Sequence, residues 1–459
     1  MRSDIMSHYR DAREEIFTIQ AGPDQYYLYA PLRHAAALVN ASACQAVGKF
    51  MESGRAQLSS LEQSVIDRFL EAGLIGGQTP ELPDFPAEYG FHPYEVTLFL
   101  TSRCNLRCTY CYADAGKRKV ELSWDAAQAA IELVAENAGL VGREDFLVGF
   151  HGGGEPTLAW DLMCQCVDFA EKTGDRKGLQ PHVHTASNGL LSKKQRNYII
   201  RHFAGINISM DGPREVQDRQ RPCRDGSGSF DQVMETLEDF SANGFHFDIR
   251  ITATRQSTAL MSEIVEFLCT RFPSLRQLHI EPAWYCGRCL TSGEQAPEAK
   301  DFINQYLAAT LCAQQHDVAL YYSGARIDTI TNRFCGAPGE GFSVMPEGTV
   351  SSCYEVCDPD DPRAEIFHYG HYDRLHRSYV FDEEKVNKLR SLAVNNISFC
   401  QDCFCRWHCA GDCMAKALKD INPASHQGSE RCQINREITL AQLKDIIHAQ
   451  KPEGGNPLG

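Results

Sequence analysis

No apolar run in the 459-residue chain approaches the ~20 residues that a membrane-crossing helix needs, so a helical membrane span is excluded. The first ten residues, M-R-S-D-I-M-S-H-Y-R, carry neither an apolar core nor a small-residue cleavage pattern. Nothing there marks a secretory signal, and the expected location is the cytoplasm. Positive charge is also scarce: 45 Lys and Arg face 60 Asp and Glu, a formal charge of -15. Nucleic acids and anionic membranes both require clustered Lys and Arg, so neither is an expected partner, and peptides or small molecules are.

Cysteine, by contrast, is abundant, at twenty residues. A disulfide framework belongs to oxidising compartments, and metal or redox sites belong to reducing ones. Without a secretory signal the second reading is preferred. The length suggests about three domains, and 43% hydrophobic residues are enough to build buried cores.

The chain is organised around Val96 to Tyr112, V-T-L-F-L-T-S-R-C-N-L-R-C-T-Y-C-Y. A β-branched, apolar run of strand length leads into a C-x3-C-x2-C triplet, Cys104, Cys108 and Cys111. Three thiolates can hold three irons of a four-iron cluster and leave the fourth iron open for a small ligand. Structural zinc requires four protein ligands, and no fourth Cys or His is close in sequence.

With Tyr110 before its last cysteine, the triplet resembles the signature of the radical S-adenosylmethionine (SAM) enzymes. The rest of the chain resembles their peptide-modifying branch with a SPASM extension. The resemblance implies that SAM binds the open iron through its amino and carboxylate groups and is split reductively to a 5'-deoxyadenosyl radical. The chain's task is then to position cofactors that carry the chemistry.

Residues 1 to 78 read as a small α+β domain. Ile16 to Gln20 and Tyr26 to Ala30 form a hairpin around Gly22-Pro23-Asp24, with a third strand at Ala35 to Val39. Two helices follow, from near Ser42 and from Ser59 or Ser60. The order resembles the winged-helix-like peptide-recognition element fused to enzymes that modify ribosomal peptides. There a precursor's leader adds a strand to the sheet edge; the alternative is a cap that only shields the barrel. Residues 79 to 93, rich in Pro, Gly and acidic residues, read as a linker.

From 94 to 283, six strand-like segments alternate with helical patterns: Val96 to Leu100, Phe146 to Phe150, His182 to Thr185, Ile206 to Met210, Phe247 to Ile251 and Gln277 to Ile280. Among the helices, Trp124 to Asn137 opens at Ser123, and Phe230 to Asn243 opens with the capping box Ser229-x-x-Gln232. Such an alternation predicts an α/β fold, a partial (β/α)6 barrel with helices outside and polar motifs at the strand ends. After the second strand comes His151-Gly-Gly-Gly-Glu155-Pro156. Glycines let backbone approach a ligand, and a carboxylate accepts from an ammonium group. The resemblance gives Gly153, Gly154 and Glu155 the SAM amino group. It also assigns polar contacts to Asn188, in Ser187-Asn-Gly, and to Ser209, in S-x-D-G-P; plain turn chemistry is the other reading. Arg221 lies in a stretch similar to the one the family carries after strand four. Arg250 is a candidate partner for the SAM carboxylate or for a structural ion pair. His279 and Glu281 lie at the end of the sixth strand, where a satisfied interior histidine is the default reading.

Residues 284 to 334 are a bridging region. It holds Cys286-Gly-Arg-Cys289, either a redox or ligand pair or without a metal role, and a helix from Ala299 to Gln314. Residues 335 to 447 carry Cys335, Gly348-x4-Cys353, Cys400-x2-Cys403-x5-Cys409-x3-Cys413 and Cys432. The intervals match the SPASM pattern throughout and point to a metal-binding module. The resemblance implies two auxiliary clusters, making three [4Fe-4S] clusters in all. Cys400, Cys403, Cys409 and Cys432 would hold the outer one, and Cys335, Cys353 and Cys413 the inner. For the inner cluster's fourth ligand two readings stay open: Cys357, or an open iron that binds a substrate cysteine. Cys44, Cys164, Cys166, Cys223, Cys269, Cys312 and Cys405 read as ordinary buried thiols, and residues 448 to 459 as a disordered tail.

The expected activity is therefore cross-linking of a ribosomally made precursor peptide, by hydrogen abstraction and then bond formation. A thioether is the first expectation and a carbon-carbon cyclophane the second, with a flavodoxin or ferredoxin as reductant. The alternatives are oxidation of Ser or Cys to formylglycine, as in anaerobic sulfatase maturation, and a non-catalytic iron-sulfur electron carrier. The G-G-E-P motif counts against the last, since a carrier has no amino acid to hold.

Overall fold

The structure is a computed structural model that describes residues 5–10, 15–76, 90–418 and 420–449. The expected linker falls mostly, and the expected tail almost wholly, outside these residues.

The N-terminal sheet has four antiparallel strands in chain order: β1 (Ile5–Arg10), β2 (Glu15–Gly22), β3 (Gln25–Ala30) and β4 (Ala35–Val39). The strand β1 is additional to the three expected. Helices Ala41–Ser53 and Ser60–Glu71 follow, and Ser59 caps the second through a capping box with Glu62. Alternation along β2 and β3 explains why this small sheet is apolar on both faces. Ile16, Tyr26, Leu28 and Ala30 pack with Val47, Ile66 and Phe69 of the helices. Phe17, Ile19, Tyr27 and Tyr29 point the other way, onto Phe404, Cys405, Cys409, Leu443 and Ile447. The sheet is thus sandwiched between its own helices and the C-terminal part of the chain.

The second sheet has eleven strands. From one edge it runs β11 (Ala319–Tyr321), β10 (Gln277–Pro282), β9 (Phe247–Ala253), β8 (Gly205–Ser209), β7 (Gln180–Ser187), β6 (Asp145–Phe150), β5 (Glu95–Leu98) and β12 (Ser343–Val344), then β13 (Thr349–Ser351), β14 (His368–Asp373) and β15 (Ser378–Phe381). Strands β5 to β10 are the six expected β-α strands, and they pair in parallel in chain order. The bridging region adds β11 in parallel at one end, and β12 pairs in parallel with β5 at the other. Both are two or three residues long, too short to show an alternating pattern. The strands β12 to β15 then continue antiparallel, so the cysteine-rich C-terminal part grows directly out of the barrel sheet.

Along β9, Phe247, Ile249, Ile251 and Ala253 are buried under the outer helices, while Arg250 between them is exposed toward the concave side. Asn207 on β8 and His184 on β7 repeat this pattern, leaving the barrel interior polar and accessible. The expected capping box at Ser229 does not form. The Ser229 hydroxyl donates to the Arg221 carbonyl at 2.8 Å and accepts from Gln217 Nε2 at 3.0 Å, and Asp218 takes the Phe230 N–H instead.

Candidate active site

The cysteine loop after β5 is held on every side. Its N–H groups at Arg107 and Thr109 donate to the carbonyls of Pro222 and Gln220, at 2.8 and 2.9 Å, and Leu106 bridges to Cys223. From the bridging region, Arg288 reaches in: its guanidinium donates to the Cys108 and Ala115 carbonyls at 2.9 and 2.8 Å and to the Asp114 carboxylate at 2.9 Å. The Arg288 N–H donates to the Cys111 carbonyl, and Gly287, at φ +52°, comes so near that a Cβ there would lie 2.2 Å from the Tyr112 oxygen. In the Cys286-to-Cys289 segment it is therefore the two middle residues that engage this loop. Sequence reading looked to the cysteines because they carry the recognisable chemistry.

All twenty cysteines are free thiols. Burial pushes the Cys104 thiol up to about 11 and the Cys108 thiol up to about 12, and the neighbouring thiols of the triplet add to both shifts while Arg221 opposes them. Converging thiols of this kind favour a bound cation, which reverses the effect.

The glycines after β6 make the cradle beside this loop. A Cβ on Gly154 would stand 2.2 Å from the Arg103 carbonyl oxygen and 2.6 Å from that of Thr101, so backbone passes against backbone. Glu155, buried, accepts from Thr157 Oγ1 at 2.7 Å, Ser187 Oγ at 2.9 Å and the Asn188 N–H at 2.8 Å. Burial raises its carboxyl above the usual range, and these donors pull it back. Asn188 Nδ2 in turn donates to Asn105 in the cysteine loop at 2.8 Å. The structure thus brings Glu155, Asn188 and the triplet's loop together.

Tyr110 is part of a second buried network. Its hydroxyl donates to Asp211 Oδ2 at 2.5 Å and accepts from Arg221 Nη1 at 2.7 Å, and Asp211 also accepts from Gln220 Nε2 and the Thr252 N–H. Asp211 and Gln220 are the hub here, and sequence reading, which favoured Ser209 in the same motif, passed over both. In register across β8, β9, β10 and β11 stand Ser209, Arg250, His279 and Tyr321. His279 Nε2 lies 2.8 Å from Glu281 Oε1, while Arg431 donates to Glu281 Oε2 at 2.9 Å and to Asp412 at 3.2 Å. His279 is thus a satisfied histidine, tied to the C-terminal part through Glu281.

In that part, Cys353 feels the charges of Cys413 and Cys335, and Cys400 those of Cys409, Cys403 and Cys432. Cys357 looks elsewhere. Its Sγ would be 3.0 Å from a Cβ on Gly153, and it sits in the field of Cys111, beside the first triplet. Cys405, read as an ordinary thiol, has its Sγ 3.4 Å from that of Cys403.

Two observations test these sites against an iron-sulfur cluster and SAM. The Cys104 and Cys108 thiols both lie in the field of Cys111, as ligands of one cluster that binds each thiolate through a different iron would. Beside Tyr110 and Cys108, Arg221 Nε is a buried polar atom for which the described residues supply no hydrogen-bond partner. A polar ligand fits there.

Residues 98–268 match the Radical SAM superfamily. The chain is 30% identical over 382 residues to mycofactocin maturase MftC of Mycobacterium tuberculosis H37Rv, covering 80% of this chain and 89% of that protein. It spans 57% and 45% of the length of two further relatives. Among solved structures, anSMEcpe with bound AdoMet superposes with a TM-score of 0.61 at 18% identity, covering 78% of this chain and 96% of that one. Streptococcus suis SuiB bound to precursor peptide SuiA gives 0.53 at 14% identity, with 88% and 96% covered.

Proposed function

The chain belongs to the radical SAM peptide maturases, and on that premise we propose that it installs a cross-link, a thioether first and a carbon-carbon cyclophane second, in a ribosomally made precursor peptide. When bound, a four-iron cluster with SAM would supply the radical chemistry for hydrogen abstraction from a peptide. Cys104, Cys108 and Cys111 are the residues to hold that cluster. Gly153, Gly154 and Glu155 offer the cradle for the SAM amino group, with Tyr110, Asn188, Ser209, Arg221 and Arg250 around it. Cys335, Cys353 and Cys413 are proposed for an inner auxiliary cluster and Cys400, Cys403, Cys409 and Cys432 for an outer one. Cys357, given its place beside Gly153, is better suited to the SAM site than to the inner set.

One observation carries the peptide-maturase reading: a four-stranded sheet is docked face-on against the Cys403–Cys409 loop, while among the described residues β4 pairs with β3 alone. A leader that adds a strand at an edge of this sheet would be held on the body that carries the barrel mouth, raising the core peptide's local concentration there. The polar, accessible barrel interior suits a peptide. No helix among the described residues is long and apolar enough to cross a membrane. A flavodoxin or ferredoxin is the proposed electron source.

The test is anaerobic reconstitution with iron, sulfide, SAM and reductant, followed by co-expression with a short Cys-containing reading frame encoded beside the gene. We expect 5'-deoxyadenosine and a peptide lighter by two hydrogens whose cysteine no longer reacts with iodoacetamide. Free thiols with the same mass loss select the cyclophane, and loss of sulfur selects formylglycine. An iron-replete sample that makes no 5'-deoxyadenosine overturns the proposal.

A further inference from the structure

Away from the barrel mouth, three side chains of different chemistry converge between two packed helices. Cys312, on helix Ala299–Gln314, and His316, just past its end, stand four residues apart, about one helical turn, and so reach the same side. Glu266 comes from helix Met261–Arg271, which runs against it. Cys312 Sγ is 3.3 Å and His316 Nε2 2.8 Å from one and the same oxygen, Glu266 Oε2. All three ligand atoms lie within 4.8 Å of one another, and no other trio of His, Cys, Asp or Glu among the described residues does so.

The order of these groups excludes a nucleophilic triad. An activated thiol needs the imidazole between itself and the carboxylate, to take its proton. Here the carboxylate stands in the middle, and after burial its hydrogen bond and charge push the Cys312 thiol up, the wrong direction for a nucleophile. One sulfur, one imidazole nitrogen and one carboxylate oxygen gathered at a point are instead the ligand set of zinc.

We propose that Glu266, Cys312 and His316 bind a single divalent transition-metal ion, Zn2+ by their donor set, with water in the fourth position. On binding, the Cys312 S–H bond breaks, its proton goes to solvent, and the sulfur keeps the electron pair to bond the metal. His316 coordinates as neutral imidazole through Nε2, and the carboxylate through Oε2. Glu266 is exposed and His316 half-buried, so the ion has a path from solvent. The ion fastens the last barrel helix to the helix that leads into β11, the junction between the barrel and the C-terminal part.

The experiment uses the full-length, iron-loaded protein, so that the other cysteines are occupied. Zn2+ is added, loosely held metal is removed by desalting, and zinc and iron are counted together for wild type and C312S/H316Q. We expect one zinc per chain in wild type, at least tenfold weaker retention in the double variant, and equal iron in both. Zn2+ should raise the melting temperature of wild type alone. The zinc-edge absorption spectrum should show one sulfur neighbour per zinc. Equal zinc in both proteins means an adventitious ion only and overturns the proposal. So does a wild type that keeps none, or a spectrum with three or four sulfurs. E266Q, which keeps the shape and removes the charge, should fall between wild type and the double variant.

Discussion

Glu15 and Arg406, 391 residues apart in the chain, meet as a fully buried ion pair between the N-terminal sheet and the C-terminal cysteine loop, and Trp407 Nε1 donates to the same carboxylate at 3.2 Å. Tyr29 and His408 form a second polar link alongside. Together with the apolar contact around them, these bonds make the sheet part of the enzyme body.

Removing one partner of such a pair leaves the other charge buried and costs about 3–5 kcal/mol. E15L is therefore expected to free the N-terminal sheet for early digestion in limited proteolysis, at unchanged iron content. E15L/R406L should recover most of the loss, because it removes both charges of the pair together. A double variant as labile as the single one would show that the pair does not hold the interface.

G154A tests the glycine cradle. Its Cβ would press on the carbonyls of Arg103 and Thr101, and because backbone moves less readily than a side chain, the loop should shift at a cost of about 1–3 kcal/mol. The expected result is SAM affinity at least tenfold weaker by equilibrium dialysis, with the iron count unchanged.

The clamp on the cysteine loop is R288M's target. Methionine keeps the stem but loses the three side-chain hydrogen bonds to Cys108, Asp114 and Ala115. A part of the iron, that held by the triplet, should then be released faster to a chelator than in wild type, with the remainder unchanged. R288K should rescue little, since one ammonium cannot reproduce the guanidinium's fork.

His151 gives the protein a pH dependence of known sign. Burial first, then the nearby Arg250 charge, hold its pKa down to about 4 against an ordinary 6.5. A group depressed in this way contributes fully above pH 6.5, and that contribution is lost as the pH falls toward 4, because the unfolded chain takes up the proton first. Between pH 7.5 and 5.5 the loss is about 1 kcal/mol. Thermal melting of H151Q should accordingly depend less on pH over this range than that of wild type.

Much of the site was legible because it rests on local rules. Spacing alone singled out the triplet, the glycine turn and the C-terminal cysteines, and strand alternation gave all six β-α strands. What escaped depends on side chains that carry no motif. Arg288 is one arginine in a loop until folding lays it across the cysteine loop, and Asp211 is a turn aspartate until Tyr110, Gln220 and Thr252 converge on it. The Ser229 capping box looked right in sequence, yet Arg221 and Gln217 take its hydroxyl. Cys357 sits near Cys353 in the chain but beside Gly153 in space.

The sequence by itself determined the chemistry this protein can support, because thiolates at fixed intervals and glycines ahead of a carboxylate encode ligand chemistry within a few residues. Only the tertiary structure decided which distant groups share a site: Glu15 with Arg406, and Cys312 and His316 with Glu266. Those contacts arise when whole helices and sheets bury their apolar faces together, and packing of that kind leaves no short-range trace in the order of the residues.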